Sequence, residues 1–577
     1  MIVNPSLNPS APARDLTLQS QTFGALPIVN HFLDTIGLQK ILDAYLPHTD
    51  QRVKLSPGRG IALLVRNVMV ARKPLYALGE WAGPFEPAVL DLAPQQICLL
   101  NDDRIGRCLD HLFDADRASL VMAVVVSAVR AYGVRLDQLH NDSTTVSFAG
   151  KYLQAHGQKV RGKPTLRITY GHSKARRPDL KQLLYELTVS NDGAIPIHYQ
   201  VHDGNMTDDQ THRKTWDVLR ELTGRANFLY VADSKLCTET NLRYIAGQGG
   251  LFVTVLPKTR REESAFRDWI QTHEVPWKFL WSRRNRRGQG KPKDVYQGYE
   301  SPQGSAEGFR IFWYHSSEKQ RQDQLERQDK LDRVDRALQA LRDRLGSRRT
   351  RLRKRDRVDK IIEDLLAPTG TKEWIDIQVA EKDESLYRQS RPGRPGPRTT
   401  YQRRLRRRLD VTWTRRQDTI AYEARMDGIF PLVTNTPALS LRRVLRIYKR
   451  QPRIEKRHEQ LKSVHDVAPQ YLKGPARIEA LLCVFFLALL LDALMEREVR
   501  RNMRTRRLKS LPLYPEQRDC KNPTTDRILE IFEGVQMHRL HQKGTGPTCF
   551  PPKLSPLQAQ LLQLLGVKAA DYTQPSI

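Results

Sequence analysis

Asp142 sits in Asn141-Asp142-Ser143-Thr144-Thr145, a run of short, hydroxylated side chains that alternates at the two-residue period of a β-strand. Aspartate is depleted from strands unless something compensates its charge, and a metal ion does so. Asp233 follows the apolar run Phe228-Leu229-Tyr230-Val231-Ala232, so its carboxylate emerges at a strand's carboxyl edge, where α/β sheets commonly hold their sites. Glu455 lies just after Pro452, which suits a first helical position, and Lys462 falls seven residues on. That spacing turns a carboxylate and an ammonium to one helix face. Carboxylate oxygens are hard ligands suited to Mg²⁺ or Mn²⁺. Each acid also has a plainer reading: a strand-end aspartate often forms a turn or caps a helix, and Glu455, among Lys and Arg neighbours, fits a basic surface helix.

The elements that must position these residues follow from periodicity. From about residue 15 to 134 apolar residues recur at helical spacing, as in Ile28, Val29, Phe32, Leu33 and Ile36, and again in Ile105, Cys108, Leu109, Leu112 and Phe113. After a short flexible start (1–14), residues 15–134 therefore read as an all-helical domain. Turns such as Ser56-Pro57-Gly58 suit either a DNA-contacting helix-turn-helix or a plain bundle. Residues 135–256 have the texture of an α/β core. Strands are expected near 142–148, 166–171, 183–190, 195–201, 228–232 and 251–256, helices near 211–222 and 238–245, and a turn at Asn191-Asp192-Gly193. Regular alternation is lost over 257–427, which reads as an insertion. There Leu331, Val334, Leu338, Leu341, Leu345 and Leu352 predict a helical hairpin or short coiled coil, followed by a Pro, Gly and Arg-rich loop at 391–398. The core resumes over 428–496 with a strand at 429–434 and helices around Glu455 and Ala480. Residues 497–577 read as a basic helical C-terminal region with helices at 525–532 and 557–565.

Tyr448, Glu455 and Lys462 match, at full spacing, the Y-x2-R-x3-E-x6-K signature of the bacterial insertion-sequence transposases with a DDE triad. The chain resembles the subgroup with an N-terminal helical domain, through Leu100-Asn101-Asp102-Asp103-Arg104-Ile105-Gly106-Arg107, Tyr170-Gly171-His172-Ser173-Lys174 and Arg177-Pro178-Asp179-Leu180-Lys181-Gln182. The segments Asn141-Asp142-Ser143-Thr144-Thr145 and Val231-Ala232-Asp233-Ser234-Lys235 resemble its two aspartate motifs. One departure is plain: Gln451 holds the signature arginine position, between Arg450 and Arg453. The resemblance covers about residues 15 to 500. It implies an α/β fold: an RNase H-like catalytic core with a large insertion, preceded by an all-helical domain and followed by a helical C-terminal region. Asp142, Asp233 and Glu455 become the catalytic residues and the ligands of two Mg²⁺ ions, with Mn²⁺ as a substitute. Tyr448, Arg450, Gln451, Arg453 and Lys462 become the grip on DNA. The implied reaction cuts the element's ends and joins the 3′-hydroxyl to target DNA by two-metal phosphoryl transfer. The alternatives are an inactive protein that only binds terminal repeats, and a nuclease on the same core without strand transfer. The implied partners are terminal inverted repeats, target DNA and a second copy of the chain on paired ends.

The charge balance agrees with a nucleic-acid partner. Lys and Arg number 95 against 64 for Asp and Glu, a net +31 spread over 577 residues with dense runs at 283–287, 348–357 and 403–416. Six scattered cysteines form no CxxC pair, which argues against a structural zinc or a disulfide framework. His140, His172, His198 and His202 lack metal-ligand spacing and read as ordinary polar histidines. Asp179, Asp192 and Glu479 are the reserve acids. No GxxxxGK[ST] run points to a nucleotide cofactor. Residues 1–14 carry no export signal, and the apolar run 480–491 is twelve residues against the about 20 that a membrane span needs. A buried core helix, no membrane and a cytoplasmic location, on the nucleoid when DNA-bound, are expected.

Overall fold

The computed structural model describes residues 16–48, 54–174, 177–207, 210–284, 293–347, 349–465, 467, 472–542 and 546–573. The flexible start expected at 1–14, parts of the basic run 283–287 and the first residue of the run 348–357 lie outside these residues. The chain divides into two compact units, Met1–Thr254 with Arg446–Ile577, and Val255–Leu445.

The first unit holds strands β1 (Leu16–Thr22), β2 (Gln138–Phe148), β3 (Lys181–Ser190), β4 (Pro196–His202), β5 (Leu229–Val231) and β6 (Leu251–Val255). Five of them run in the order β4-β3-β2-β5-β6. β4, β3 and β2 are antiparallel neighbours, whereas β5 runs parallel to β2 and β6 parallel to β5. The unit is a mixed α/β structure built on a mixed sheet. Its parallel strands are linked by the helices His212–Thr223 and Glu239–Gly247. Burial of β3 along nearly its whole length matches its run of Leu, Tyr and Val.

The helix Pro475–Thr505 is the spine of this unit, buried from Pro475 almost to its end. It packs on the helices Pro57–Val70 and Asp102–Asp114 and on β4. Among the described residues it is the one helix long and apolar enough to cross a membrane, and its apolar window is wholly buried inside the protein. The run 480–491 is thus the core helix its length predicted. Ser56 caps the Pro57–Val70 helix, its hydroxyl accepting from Arg59 N at 3.2 Å. Twelve of that helix's fourteen residues are buried, so it offers no open face to a DNA groove.

Three expectations are corrected in this unit. The segment from residue 15 does not begin helical: β1 pairs antiparallel with the strand Gln536–Gln542, which in turn pairs with Thr548–Phe550. The C-terminal region is therefore helix and strand, with the helices Thr525–Glu530 and Pro556–Leu565 where they were expected. A partner some 520 residues away leaves no local trace at β1. Residues 166–171 do not form a strand beyond two isolated bridges, Arg167 to His156 and Thr169 to Gln182. Two of their backbone donors are taken by side chains, Leu166 N by Glu479 Oε1 and Arg167 N by Asp203 Oδ1.

In the second unit β7 (Lys278–Arg283), β8 (Asp294–Glu300), β9 (Arg310–Ser316) and β12 (Ile429–Thr434) lie antiparallel in the order β12-β9-β8-β7. Between β9 and β12 come the helices Ser317–Gly346 and Arg355–Leu366 and a separate ribbon of two 15-residue strands, β10 (Ile375–Gln389) and β11 (Tyr401–Arg415). The insertion is thus richer in strand than its pattern suggested, because a ribbon exposed on both faces needs no apolar alternation. The heptad residues Leu331, Val334, Leu338, Leu341, Leu345 and Leu352 are all buried against Val358, Ile362, Leu366, Leu409 and Val411. The helical hairpin is present. The coiled coil is not, because the chain's own second helix and ribbon cover the leucine face.

Leu338 is fully buried at the centre of that cluster. Leu338→Ala is expected to cost about 2–5 kcal/mol, transfer and cavity terms together, seen as a lower urea midpoint for the transition of this unit. Sedimentation should show the same mass as the parent chain, since the leucines meet residues of the same molecule.

Candidate active site

The pairing of β2 with β5 decides where the first two acids stand. Gln138 lies opposite Leu229, Leu139 opposite Tyr230 and His140 opposite Val231 in parallel register. Two residues further on, the same register sets Asp142 level with Asp233, just past the end of β5. Asp142, midway along β2, therefore stands level with Asp233 at the carboxyl end of β5. Asp233 is also a cap: its Oδ1 accepts from Lys235 N at 2.9 Å, and Thr254 Oγ1 donates to its backbone carbonyl at 2.6 Å. The turn-forming and site-forming readings of this residue are compatible, since one carboxylate oxygen serves the cap.

The third acid reaches the site on the helix Pro452–Glu459, with Pro452 in its first turn as the sequence predicted. Two fastenings hold that helix. In front, Gln451 is buried: its Oε1 accepts from His140 Nδ1 at 2.8 Å, while its Nε2 donates to the Asn141 carbonyl at 2.9 Å. His140 takes a further bond at Nε2 from Gln138, and burial first of all lowers its pKa to about 4, so the ring is neutral. Behind, Arg457 donates to the Gly193 and Ala194 carbonyls at 3.0 and 2.9 Å and pairs with Glu496 at 3.1 Å, all in buried surroundings. Gly193 takes a φ of 89° in the turn Asn191-Asp192-Gly193, and its backbone lies so near Arg497 that a side chain would press on it.

Held this way, Glu455 sits on the exposed side of the helix's first turn. Tyr448 ends the preceding helix, Leu441–Tyr448. Its hydroxyl is pushed up to about 12, by burial first and then by the negative charges of Asp233, Asp142 and Glu455. All three acids therefore act on one phenol. Lys174 Nζ stands 3.8 Å from Asp142 Oδ1 and donates to Ser143 Oγ and O at 2.6 and 2.9 Å. His458 Nδ1 is 3.7 Å from Asp142 Oδ2, and burial, then Lys462 and Lys174, push its pKa down to about 3. It is a neutral ring beside a carboxylate. The Lys462 ammonium is pushed down by burial and by Lys174 and drawn up by Asp142. It sits in a π-helical segment, Gln460–Val464, that widens the turn after Glu459, a feature often found at functional sites.

Tyr448 and Lys462 thus fall where the spacing put them, beside the acids. Gln451 does not: it faces inward and has no exposed amide to offer DNA. A guanidinium in its place would have to be buried against His140, with no acceptor for the ring N–H. Arg450 and Arg453 instead bond Asn191, through Oδ1 at 2.7 Å and O at 3.1 Å. Burial and the nearby charges of Arg450, Arg500 and Arg504 lower the Arg453 pKa, so four guanidiniums crowd this edge. The reserve acids are engaged elsewhere, Asp192 with Arg497, Glu479 with Arg117 and Asp179 with Arg177. Lys174 and His458 were not foreseen as site residues. Lys174 closes the quoted segment Tyr170-Gly171-His172-Ser173-Lys174, and His458 lies three residues after Glu455, a spacing that brings helix neighbours together.

Beneath Asp142, on the opposite face of β2, lies a buried polar network. Glu186 accepts from Asn141 Nδ2 at 2.9 Å, Thr215 Oγ1 at 2.7 Å and His202 Nε2 at 2.9 Å. Burial opposes its charge, yet the His202 bond, the nearby His212 and the Thr215 bond hold its pKa down to about 2. His202 is a partner of Glu186, an ordinary polar role.

The oxygens of Asp142 and Asp233 suit a hard divalent ion by type and by register. Among the described residues no group of three or more His, Cys, Asp and Glu side chains is gathered closely enough to hold one. The fit therefore rests on the aspartate pair.

A family model described as a domain of unknown function, DUF4277, matches residues 18–126. No curated protein matches the chain. Among solved structures, the chain is similar to a piggyBac transposase in a synaptic complex with hairpin DNA, at 10% identity and a TM-score of 0.24. The similarity covers 51% of this chain and 59% of that one, so the chain spans about three fifths of its length.

Gln451→Ala is expected to leave His140 Nδ1 and the Asn141 carbonyl unpaired in the interior, at about 1–3 kcal/mol for each group, measured by chemical denaturation at neutral pH. Glu186 carries a pH signature. Its folded pKa is depressed from 4.5 to about 2, so its contribution is whole above about pH 4.5 and fades as pH falls towards 2. Urea midpoints taken between pH 5 and pH 2 should fall less steeply for Glu186→Gln than for the parent chain.

Proposed function

We propose that this protein is a DNA transposase with an RNase H-like catalytic core, in which Asp142, Asp233 and Glu455 form the acidic triad. The observation that carries the reading is the β2–β5 register, which levels Asp142 with Asp233, together with the joint action of all three acids on Tyr448. The sheet order, three antiparallel strands followed by two parallel ones, supports the core assignment. The spacing of Tyr448, Glu455 and Lys462 supports the family.

In this reading Asp142 and Asp233, with Glu455, would hold Mg²⁺ or Mn²⁺. Two such ions would supply Lewis acidity to the attacking and leaving oxygens at phosphorus. The chain's own groups do the rest. The Tyr448 hydroxyl keeps its proton at neutral pH and donates it to a phosphate oxygen at the DNA end. Lys462 and Lys174 bring positive charge to the same edge, where it offsets the charge that develops on the phosphate. His458, uncharged and buried, fills the space behind Asp142 without competing for the anion. The arginines at 450, 453, 500 and 504 give the surrounding surface its affinity for the phosphate backbone. Water as nucleophile frees a 3′-hydroxyl, and that hydroxyl then attacks target DNA in the same site. Terminal repeats and target DNA are the partners, with a second copy of the chain on the paired end.

With DNA carrying the element's inverted repeats and Mg²⁺, the parent chain is expected to nick the ends and join them to plasmid. Asp142→Asn, Asp233→Asn and Glu455→Gln should each lower both steps by at least about 10³-fold, as expected for removal of an electrostatic anchor of the transition state, while DNA binding persists. A chain that binds the repeats and never cuts would leave the binding-only protein as the correct reading. Cutting without joining of a pre-cut 3′-end would leave the nuclease.

A further inference from the structure

The ribbon of the second unit has a use that the acidic site does not account for. β10 and β11 pair with each other over fifteen residues, from Ile375 opposite Arg415 to Gln389 opposite Tyr401, and no other described strand joins them. The base is anchored, since Ile375, Leu409 and Val411 are buried in the leucine cluster. Beyond Leu409 the ribbon leaves that cover. From residue 385 to 408 it carries nine arginines, of which Arg407 and Arg408, at the inner end, pair with Glu381 and Glu384 at 3.3 and 2.7 Å. Arg388, Arg391, Arg394, Arg398, Arg403, Arg404 and Arg407 are exposed. So are Tyr387, Tyr401 and Leu405, at 67, 51 and 64%.

An uncovered two-stranded ribbon is marginal in water, and the exposed arginines of its outer half, Arg388, Arg391, Arg394, Arg398, Arg403 and Arg404, repel one another unless a polyanion meets them. The arginines stand on both faces. Arg403 and Arg407 share one face with Tyr387, Tyr401 and Leu405, and Arg404 and Arg406 share the other with Leu386 and Arg388. A ribbon laid on a flat acidic surface needs one basic face. A ribbon set between two phosphate backbones needs two. The major groove of duplex DNA, about 12 Å wide, admits a two-stranded ribbon, whereas that of duplex RNA is too deep and narrow for side chains to read.

We propose that β10 and β11 form a DNA-binding arm that lies in the major groove of duplex DNA, with the arginines of its two faces on the two phosphate backbones. The choice of polyanion rests on the transposase reading; the arm's binding does not depend on chemistry at Asp142. The contacts are to phosphate, so the arm holds DNA without regard to sequence.

The test uses the full chain, a random-sequence 30-base-pair DNA duplex and the matching RNA duplex, with fluorescence anisotropy from 50 to 200 mM salt. One variant replaces Arg403, Arg404 and Arg407 by Ala, and a second replaces Arg388, Arg391, Arg394 and Arg398. A charge control replaces the exposed Arg213, Lys214 and Arg225. Unchanged thermal unfolding is expected throughout, because these side chains are exposed. Each arm variant should lose at least tenfold in DNA affinity at low salt, and the slope of log affinity against log salt should flatten by about 0.9 per lost phosphate contact. The control should change little. An unchanged slope in both arm variants, an equal loss in the control, or tighter binding to the RNA duplex overturns the proposal. If DNA cutting persists while the arm variants bind like the parent, the arm alone is wrong. Failure of the parent chain to bind any duplex removes the DNA reading itself. Arm-dependent binding retained in Asp142→Asn supports the separation of the two roles.

Discussion

The amide of Gln451 bonds the ring of His140 and the carbonyl of Asn141, the two residues that precede Asp142 on β2. Through this one side chain the helix that carries Glu455 is fixed to the strand that carries the first aspartate. An amide can do this in the interior because it both accepts and donates, satisfying a ring N–H and a carbonyl together. A guanidinium has donors only and could not accept from His140. Arg457 completes the fastening from the other side, against the Gly193 turn and Glu496 of the long buried helix. The position of the third acid is thus set by interior hydrogen bonds, while its carboxylate remains in solvent.

Electrostatics at this edge is arranged in layers. The outermost layer is the arginine group around Arg453. Inside it, Lys174 and Lys462 act on Asp142, and the neutral His458 lies against the same carboxylate. On the far face of β2, Glu186 keeps its charge in a buried cage of hydrogen bonds. Two carboxylates on opposite faces of neighbouring strands, Asp142 on β2 and Glu186 on β3, keep their separate surroundings only while the sheet stays rigid. The antiparallel pairing of β2 with β3 over ten residues supplies the rigidity.

The positive charge of the chain is dense in a few runs. Much of it in the second unit lies on a ribbon whose base is held by leucines and whose outer half has no apolar cover. The helix Pro57–Val70, by contrast, belongs to the core of the first unit and presents little surface at all. A DNA-contacting role suggested by its turn chemistry is better served by elements that keep their side chains in water.

How much was legible in the sequence differs by kind of interaction. The strand around Asp142, the apolar strand before Asp233, the Pro452 helix start, the Asn191-Asp192-Gly193 turn and the core helix over 480–491 were readable, because each follows from periodicity or from a residue's own backbone preference. The leucine spacing at 331–345 gave the helical hairpin, and its alternative, a coiled coil, fell away because a heptad shows that a face must be buried but not by what. β1 was missed because its partner strand lies at the other end of the chain, and β10 and β11 because exposed strands carry no apolar alternation. Gln451 looked like a surface contact among arginines. Only the tertiary structure turned it inward, because the hydrogen-bonding needs of His140 and Asn141 arise on a strand more than 300 residues away, and a one-dimensional pattern holds no record of a satisfied interior group.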